Sequence, residues 1–374
     1  MNYKQILVIF LAVCIFLLPL FFIPHIIGGD TYYYVNHIFG IVPLPDSEPI
    51  LSVWIMNNIP ANYLAIKLIM VLVTFLTCLA ISKCGELFDD RFGWLAGLFL
   101  LGTLFFTTIF INFENDMFGF MFIAWSLFWI LRYTISGEEK DLWFSIILIC
   151  IAGLIWEFAI YFLLIWVIIS KFNWKLTLIF LVLFGLHFVN FFKGIIPNTL
   201  IQENMFGLGL MCLVFFITCY MKDTRFKLLY PAILVSTVLA LVNLKFVYVV
   251  IPLLVISLAV TLTKLPKEAV IFTVLSLLVV FVVVSLTILN AYPNQDINEL
   301  FSKAQSIKEN RFPNKDIRPV WDFGYYWIYW TKKPYELFGS TKPTPKTGIV
   351  ITREFEKLDC VKYFENKSGI IYIC

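Results

Sequence analysis

Charge is the feature this sequence has least of. Charged residues make up only 14% of its 374 positions, whereas hydrophobic residues make up 60%. At that ratio a soluble globular chain has too little polar sequence to cover its apolar core. The formal net charge of +3 also lacks the basic excess typical of nucleic-acid binding. The composition therefore predicts an integral membrane protein that partners the lipid bilayer and no nucleic acid.

The sequence also lacks zinc-binding cysteine motifs and phosphate-binding glycine motifs. None of the eight cysteines has the C-x-x-C spacing of a zinc site, and no glycine-rich loop is present to hold nucleotide phosphates. The sequence thus predicts no nucleotide cofactor. Cys360 and Cys374 lie in a polar tail and can pair if that tail faces an oxidising space. The other cysteines fall in or beside apolar runs, where we expect them to pack: Cys14, Cys78, Cys84, Cys150, Cys212 and Cys219.

Long apolar runs fill most of the chain. Residues 6–27 contain no Asp, Glu, Lys or Arg and exceed the roughly 20 residues that cross a hydrocarbon core. Because no small-x-small cleavage site precedes Gly28, we expect this run to be retained as a first span. The pattern predicts an all-α polytopic, multi-pass membrane protein with about eleven transmembrane helices. The predicted spans lie near residues 6–28, 61–82, 92–112, 118–134, 142–155, 157–170, 176–192, 205–221, 228–243, 247–263 and 268–290.

Residues 142–170 fit either one long tilted helix or two short helices that break near Trp156 and Glu157. With two helices and a cytoplasmic N-terminus, the basic residues of the later loops, such as Lys171 and Lys222, stay on the cytoplasmic side. A single helix would move them outside, against the positive-inside rule. We therefore expect two helices here, and the odd total places the C-terminal tail outside the membrane.

The tail follows the predicted transmembrane domain of residues 1–290 and comprises residues 291–374. Its polar sequence predicts a small extracytoplasmic α/β domain. Apolar runs at residues 348–352 and 369–374 predict strands, and residues 354–364 between them predict a helix. This order favours a βαβ-like unit.

The first acidic motif is Gly-Gly-Asp-Thr-Tyr-Tyr-Tyr, which follows the first predicted span. It places Asp30 at the lipid–water boundary beside Tyr32 and Tyr33, where a substrate at the membrane surface can reach the carboxylate. Two ordinary explanations stay open. Tyrosines are common in interfacial belts, and an Asp often caps the helix that follows it.

The second acidic motif is Phe-Glu-Asn-Asp-Met, in a short turn between two predicted spans. Glu114 and Asp116 are two residues apart, so both lie at the membrane face and can converge on one hard cation. Carboxylate and water are the preferred ligands of Mg²⁺ and Mn²⁺. The alternative is that so short a turn must be polar somewhere. Further acids in the predicted outer segments are Glu157 and Glu203.

The tail holds an unusually aromatic segment around Trp321, Asp322 and Tyr325. Aromatic walls with one acceptor group often bind carbohydrates or peptides, although such a strip can also rest on the bilayer. Together with the two acidic motifs, it resembles membrane glycosyltransferases of the GT-C superfamily. These include oligosaccharyltransferase catalytic subunits, protein O-mannosyltransferases and lipid A aminoarabinose transferases. The Trp-Trp-Asp-Tyr-Gly signature of the first group is only partly matched by Val-Trp-Asp-Phe-Gly at residues 320–324.

The resemblance implies transfer of a sugar from a polyprenyl-phosphate donor to a protein, glycan or lipid acceptor on the outer side of the membrane. It implies that Asp30 is the catalytic general base and that the Trp321 segment helps to bind the acceptor. The leaving phosphate needs positive charge. Either a metal at Glu114 and Asp116 supplies it, or nearby cations do. The candidate cations are Lys67, Lys193 and Lys245.

Two other functions stay open at this stage. A transporter or flippase of a lipid-linked substrate would need charges inside its spans, such as Glu157 and Lys67, and would tolerate loss of the Asp30 carboxylate. A non-catalytic membrane scaffold would tolerate neutralisation of all its acids. Sugar transfer by variants neutralised at Asp30 or Glu157 separates the three functions.

Overall fold

The protein is described here from a computed structural model. It describes residues 1–22, 29–41, 43–44, 48–103, 109, 112–193, 229–242, 244–262, 266, 268, 271, 279, 294–315, 317–319, 348–352, 360–366 and 369–374. Within these residues the fold is mostly helical. The helices are α1 (Tyr3–Phe22), α2 (Gly29–Ile38), α3 (Ile50–Asn58), α4 (Tyr63–Glu86), α5 (Ala96–Leu101), α6 (Asn115–Ser136), α7 (Glu139–Ile155), α8 (Leu163–Ile169), α9 (Trp174–Lys193), α10 (Leu229–Val242), α11 (Val247–Thr261) and α12 (Asn294–Arg311).

In the described part of the chain, three helices, α1, α4 and α6, are long and apolar enough to cross a membrane. Shorter apolar helices cover Glu157–Ile169, Trp174–Phe184, Leu229–Ala240 and Val247–Thr261. The predicted all-α membrane class is therefore confirmed at this coarser level. The predicted span at residues 205–221 lies outside the described residues, as does that at 268–290 apart from single positions.

Helix α1 shows why this fold needs a membrane. One face buries Ile9, Val13 and Phe16 against the rest of the bundle, whereas the opposite face exposes Leu11 and Ile15. Both faces are apolar, so the exposed face must meet lipid rather than water. The exposed stripe repeats at helical spacing along the whole element, which has 20 residues.

The predicted break inside residues 142–170 is confirmed. Helix α7 ends at Ile155, and Trp156 has an extended backbone with φ −145° and ψ 105°. A 3₁₀ turn, Glu157–Phe162, then leads into α8. The return is tight because a Cβ on Gly153 would lie 2.7 Å from Cγ1 of Ile160. Glycine therefore permits the close approach of the two segments.

Helices α4 and α6 run between two chemically different ends of the bundle. At about 1.5 Å per residue, α6 with its 22 residues spans roughly 33 Å. We call the end that holds Glu86 and Asp141 the basic end, because several basic groups form ion pairs with carboxylates there. Its ion pairs are Met1 N with Glu86 at 2.7 Å, Lys83 with Glu86 at 3.1 Å, Arg132 with Asp141 at 3.1 Å, Lys140 with Glu138 at 2.6 Å and Lys175 with Glu139 at 2.8 Å.

Contacts at the basic end follow ordinary surface electrostatics. The ammonium of Lys140 donates to Glu138 and lowers the pKa of that carboxyl below its usual value. Asp141, in contrast, is fully buried and bonds both Arg132 and the hydroxyl of Ser136. Buried carboxylates need such partners because water no longer solvates them. This end therefore fixes the turn between α6 and α7.

The described residues of the C-terminal region form a sheet of four strands, in the order β1-β2-β4-β3. Strands β1 and β2 are parallel, whereas β2–β4 and β3–β4 are antiparallel. Helix α12 packs on the sheet through Phe301 and Ile307, which are buried together with Ile349 and Ile371. The strands are β1 (Ile317–Pro319), β2 (Ile349–Thr352), β3 (Val361–Asn366) and β4 (Gly369–Ile373).

The tail prediction was right in its strands and wrong over the last part of its helix, whereas residues 353–359 lie outside the described residues. Strands were expected at residues 348–352 and 369–374 and are present. Residues 361–364, expected to be helical, belong to β3, which pairs with β4 in an antiparallel hairpin. The βαβ-like order is therefore wrong. A strand forms here instead of a helix because Val361, Tyr363 and Phe364 favour strands. The pairing strand β4 also begins only three residues after β3 ends. Cys360 and Cys374 form a disulfide, as the sequence allowed.

Candidate functional site

The first acidic motif lies at the start of α2. Gly29 and Asp30 form the first turn of this helix, and Thr31 follows with its side chain fully buried. The helix ends near α3, where Nε2 of His37 and Oδ1 of Asn57 are 2.7 Å apart. In its described residues, the segment between the first two long helices thus contains two short helices that contact each other. The backbone of Asp30 therefore belongs to the helix itself.

A buried hydrogen bond joins the two acidic motifs. The backbone N–H of Phe113 donates to Oγ1 of Thr31 at 3.0 Å, and both residues are fully buried. Thr31 follows Asp30 directly, and Phe113 directly precedes Glu114. The backbones of the two motifs therefore meet at one end of the helical bundle, although they lie 82 residues apart in sequence.

A second contact lies on the other side of Glu114. Nδ2 of Asn115 donates to Oε2 of Glu48 at 3.4 Å, and the hydroxyl of Tyr34 reaches the same oxygen at 3.4 Å. Glu48 thus connects α2, the segment before α3 and the first turn of α6. Phe113 and Asn115, the two neighbours of Glu114, are both bonded to this first segment.

Asp116 forms both a hydrogen bond and an ion pair. Its Oδ2 atom accepts a hydrogen bond from the hydroxyl of Tyr248 at 2.7 Å. The same oxygen lies 3.1 Å from Nζ of Lys245. Lys245 lies in the turn before α11, and Tyr248 follows three residues later on the same face, so one short segment supplies both partners. Asp116 of α6 and Lys245, just before α11, thus form an ion pair between two distant parts of the chain.

Aromatic rings enclose this ion pair. Nζ of Lys245 lies 5.2 Å from the centroid of the Trp156 ring and 5.8 Å from that of Tyr248. The two rings also touch, with centroids 4.6 Å apart. Gly119 makes room for them, because a Cβ there would lie 2.9 Å from Cβ of Trp156. Such rings attract a cation through their electron-rich faces.

Burial differs across the ion pair. The side chain of Asp116 is 14% exposed, whereas that of Lys245 is 41% exposed. The carboxylate thus lies on the protein side and the ammonium on the open side. Because the effective dielectric falls away from water, this attraction is stronger than that of an ordinary surface pair. We call this end, with Thr31, Glu48, Glu114, Asp116 and Lys245, the acidic end.

Residues 48–196 match the sequence pattern of a protein family described as dolichyl-phosphate-mannose-protein mannosyltransferase. This is a family of GT-C membrane glycosyltransferases. The chain is a membrane glycosyltransferase. The matched segment covers less than half of the chain but includes Glu48, Glu114, Asp116 and Glu157. A search of curated proteins finds no match.

The match confirms the resemblance to GT-C enzymes that the acidic motifs indicated, and it makes a non-catalytic scaffold the wrong class. It does not assign a role to any single residue. At the acidic end the backbone segments that contain Asp30 and Glu114 are neighbours.

Other predicted site residues are more scattered. Lys67 lies on the buried face of α4 and is 7% exposed. The ring of Tyr33 contacts that of Tyr34 with centroids 5.3 Å apart. Glu157 is exposed at the start of the 3₁₀ turn next to Trp156. The side chains of Asp30, Tyr32 and Lys193 lie outside the described residues, as do Glu203, Trp321, Asp322 and Tyr325 entirely.

The predicted Mg²⁺ or Mn²⁺ site at Glu114 and Asp116 stays a prediction. Among the residues that the structure describes, no group of three or more His, Cys, Asp or Glu side chains is arranged to hold a metal. Oδ2 of Asp116 already accepts from Lys245 and Tyr248. The arrangement in the glycosyltransferase therefore fits a lysine as the neighbouring positive charge more directly than a metal.

Sequence reasoning assigned no site role to Thr31, Glu48, Trp156 or Tyr248. The spacing of Lys245 and Tyr248 was a usable signal, since residues three apart share a helical face. Glu48 and Trp156 carried no such signal, because their partners lie far away in the chain.

Proposed function

We propose that this chain transfers mannose from dolichyl-phosphate-mannose to a hydroxyl group of a protein on the outer side of the membrane. The observation that carries the proposal is the family match over residues 48–196, whose members are described by that donor, sugar and acceptor class. The bond between Thr31 and Phe113 supports it, since it brings the two acidic motifs to one surface.

In this proposal Asp30 is the general base. Its carboxylate takes the proton of the acceptor hydroxyl while that oxygen attacks the anomeric carbon of mannose. The bond from the anomeric carbon to the phosphate oxygen breaks, and its electron pair leaves with dolichyl phosphate. One displacement of this kind inverts the anomeric centre. Asp30 is suited to the role because it lies in the first turn of α2, one residue from the bond to Phe113.

Lys245 is the proposed cation for the leaving phosphate. It lies within 3.1 Å of Asp116 at the acidic end and is the most exposed member of that ion pair. Fixed positive charge stabilises the charge that develops on the leaving oxygen. Lys67 and Lys193 are secondary candidates. A divalent cation held by Glu114 and Asp116 is the alternative source of charge, and chelation by EDTA separates it from the lysine.

The finer architecture is part of the same proposal. Eleven spans with a cytoplasmic N-terminus would put the acidic end and the tail on the outer side. The disulfide between Cys360 and Cys374 supports an oxidising surrounding for the tail. Ion pairs gather at the opposite, basic end, as the positive-inside rule expects of the cytoplasmic side. The segment with Trp321, Asp322 and Tyr325 then binds the acceptor.

The test compares the loss of the carboxylate at Asp30 with its loss at Glu157. Full-length protein in liposomes receives dolichyl-phosphate-mannose and a peptide with serine and threonine hydroxyls, and mannosylated peptide is measured. We expect Asp30→Asn to reduce transfer by about 10²- to 10⁴-fold, the usual contribution of a general base. The exposed Glu157→Gln variant should transfer normally. Loss of donor movement in Glu157→Gln, with Asp30→Asn unimpaired, would favour a flippase instead.

A further inference from the structure

We propose that Asp116 and Tyr248 act as positioning residues that hold the ammonium of Lys245 at the place of the donor phosphate. The inference rests on the proposed function. It gives Asp116, the second acid of the second acidic motif, a role other than metal binding. It depends on three contacts at the acidic end: Asp116 with Lys245, Asp116 with Tyr248, and Lys245 with the Trp156 ring.

A free lysine is a poor phosphate ligand because its long side chain has many conformations. Fixing such a side chain costs conformational entropy, which binding must then offset. Here the ammonium is already anchored before a donor arrives, by the ion pair at 3.1 Å and by the ring 5.2 Å away. The Lys245 side chain therefore loses its conformational entropy when the protein folds, and donor binding does not have to supply that free energy.

Tyr248 fixes the anchor itself. Its hydroxyl donates to Oδ2 of Asp116, the oxygen that also faces Lys245, so the carboxylate cannot rotate freely. The tyrosine ring is held in turn by Trp156 and by Phe120, with centroids 4.6 Å and 5.7 Å away. The order of support therefore runs from the aromatic wall to Tyr248, from Tyr248 to Asp116, and from Asp116 to Lys245.

Lys245 keeps access to a ligand in this arrangement. Its side chain is 41% exposed, and an ammonium carries three protons, so a bond to Asp116 is compatible with a further bond to a phosphate oxygen. A divalent cation bound to Oδ2 of Asp116 would instead compete with Lys245 for that oxygen. Oδ2 of Asp116 can therefore hold either Lys245 or a metal ion, but not both.

A double-mutant cycle tests the proposal with the full-length chain in liposomes. The variants are Asp116→Asn, Lys245→Met and the two combined, and the measurement is kcat and KM for dolichyl-phosphate-mannose. We expect Lys245→Met to raise the donor KM by about tenfold to a hundredfold, the usual cost of a lost charge-assisted hydrogen bond. Asp116→Asn should raise it by about threefold to tenfold. The combined variant should be no worse than Lys245→Met alone, because Asp116 acts only through Lys245.

Milder variants keep the test decisive if the cycle variants fold badly. Tyr248→Phe keeps the ring and loses one hydrogen bond, so we expect a donor KM raised about twofold to fivefold. Lys245→Arg retains the charge and should restore most of the donor affinity lost in Lys245→Met. Size-exclusion profiles and thermal unfolding in detergent establish that each variant is folded. The matched control is Lys175→Met, which removes an ion pair of the basic end and should leave both constants unchanged.

Three outcomes would overturn the positioning role. In the first, the effects of Asp116→Asn and Lys245→Met multiply in the combined variant. In the second, Mg²⁺ or Mn²⁺ restores an enzyme stripped by EDTA and Asp116→Asn weakens that response. In the third, Tyr248→Phe and Asp116→Asn leave both kcat and the donor KM unchanged. A wild-type protein that transfers no mannose would instead reject the proposed function itself.

Discussion

The two ends of the helical bundle carry carboxylates in contrasting ways. At the basic end Glu86, Glu139 and Asp141 each meet a cation in a turn or at a helix terminus. At the acidic end Glu48 receives bonds from Tyr34 and Asn115, and Asp116 receives them from Tyr248 and Lys245. The first arrangement neutralises charge and fixes helix ends. The second joins its two acids to partners from α2, α6 and residues 245–248, which lie far apart in the chain.

The comparison predicts that damage at the acidic end lowers mannose transfer, whereas damage at the basic end lowers stability alone. Gly119→Val should have the largest effect on transfer. A Cβ at this position already meets Trp156 at 2.9 Å, so a branched side chain must displace the ring that contacts Lys245. We expect transfer to fall by about a hundredfold or more, as small misplacements of catalytic groups do.

The control for Gly119→Val is Gly137→Ala, at the basic end. Gly137 has a φ of +74° and nothing within 4 Å of an added Cβ. The substitution should lower the unfolding free energy by about 1 kcal/mol through backbone strain and leave transfer unchanged. Normal transfer by Gly119→Val would contradict the importance of the aromatic wall.

Thr31→Val should have the next largest effect. It removes the acceptor of the Phe113 N–H and leaves that buried donor unpaired, at a cost of about 1 to 3 kcal/mol. Because the bond joins the backbones beside Asp30 and Glu114, we expect transfer to fall about tenfold. Thr31→Ser keeps the hydroxyl and should retain most activity. Equal activity in Thr31→Val and Thr31→Ser would show that the junction is not needed.

Glu48→Gln should have a smaller effect. Its contacts to Tyr34 and Asn115 are 3.4 Å long, and an amide oxygen can still accept both bonds. We expect kcat/KM to fall about twofold to fivefold, and Glu48→Ala to lose more because no acceptor is left. Steady-state kinetics with both variants test this. A loss in Glu48→Gln as large as that in Glu48→Ala would mean that the charge itself takes part in the reaction.

Arg132→Met should have the smallest effect on transfer and a clear effect on stability. It leaves the fully buried Asp141 without its cation, although Ser136 still bonds the carboxylate. We expect a loss of roughly 3 kcal/mol in unfolding free energy, the low end for a broken buried pair, because Arg132 is 38% exposed. Unfolding in mixed detergent micelles measures it. Altered kcat or donor KM in the folded fraction would remove the contrast between the two ends.

The sequence predicted the fold best where one physical rule dominates. Apolar runs predicted α1, α4 and α6, and the distribution of lysines predicted the break at Trp156. The helix expected at residues 354–364 was wrong at residues 361–364, because strand pairing across a short hairpin overrides the local pattern there. The short helix α3, in the first predicted outer loop, was not foreseen, since it is only nine residues long.

The candidate site was predictable in part. Asp30, Asp116 and Lys245 stood out because charged residues are rare in this chain and these lie at the ends of apolar runs. The pairing of Asp116 with Lys245 could not be read from the sequence, because it joins residues 129 positions apart. The bond of Thr31 to Phe113 is of the same kind. Such contacts depend on how the helices pack, which local periodicity does not contain.

The most direct test of the account is the sidedness of mannose transfer in sealed vesicles. Acceptor peptide is supplied either inside or outside, and protease accessibility of residues after 290 marks the orientation of each protein. The account predicts mannosylated peptide only on the side that holds this tail, and almost none with Asp30→Asn. Transfer to peptide on the opposite side, or full activity of Asp30→Asn, would contradict it.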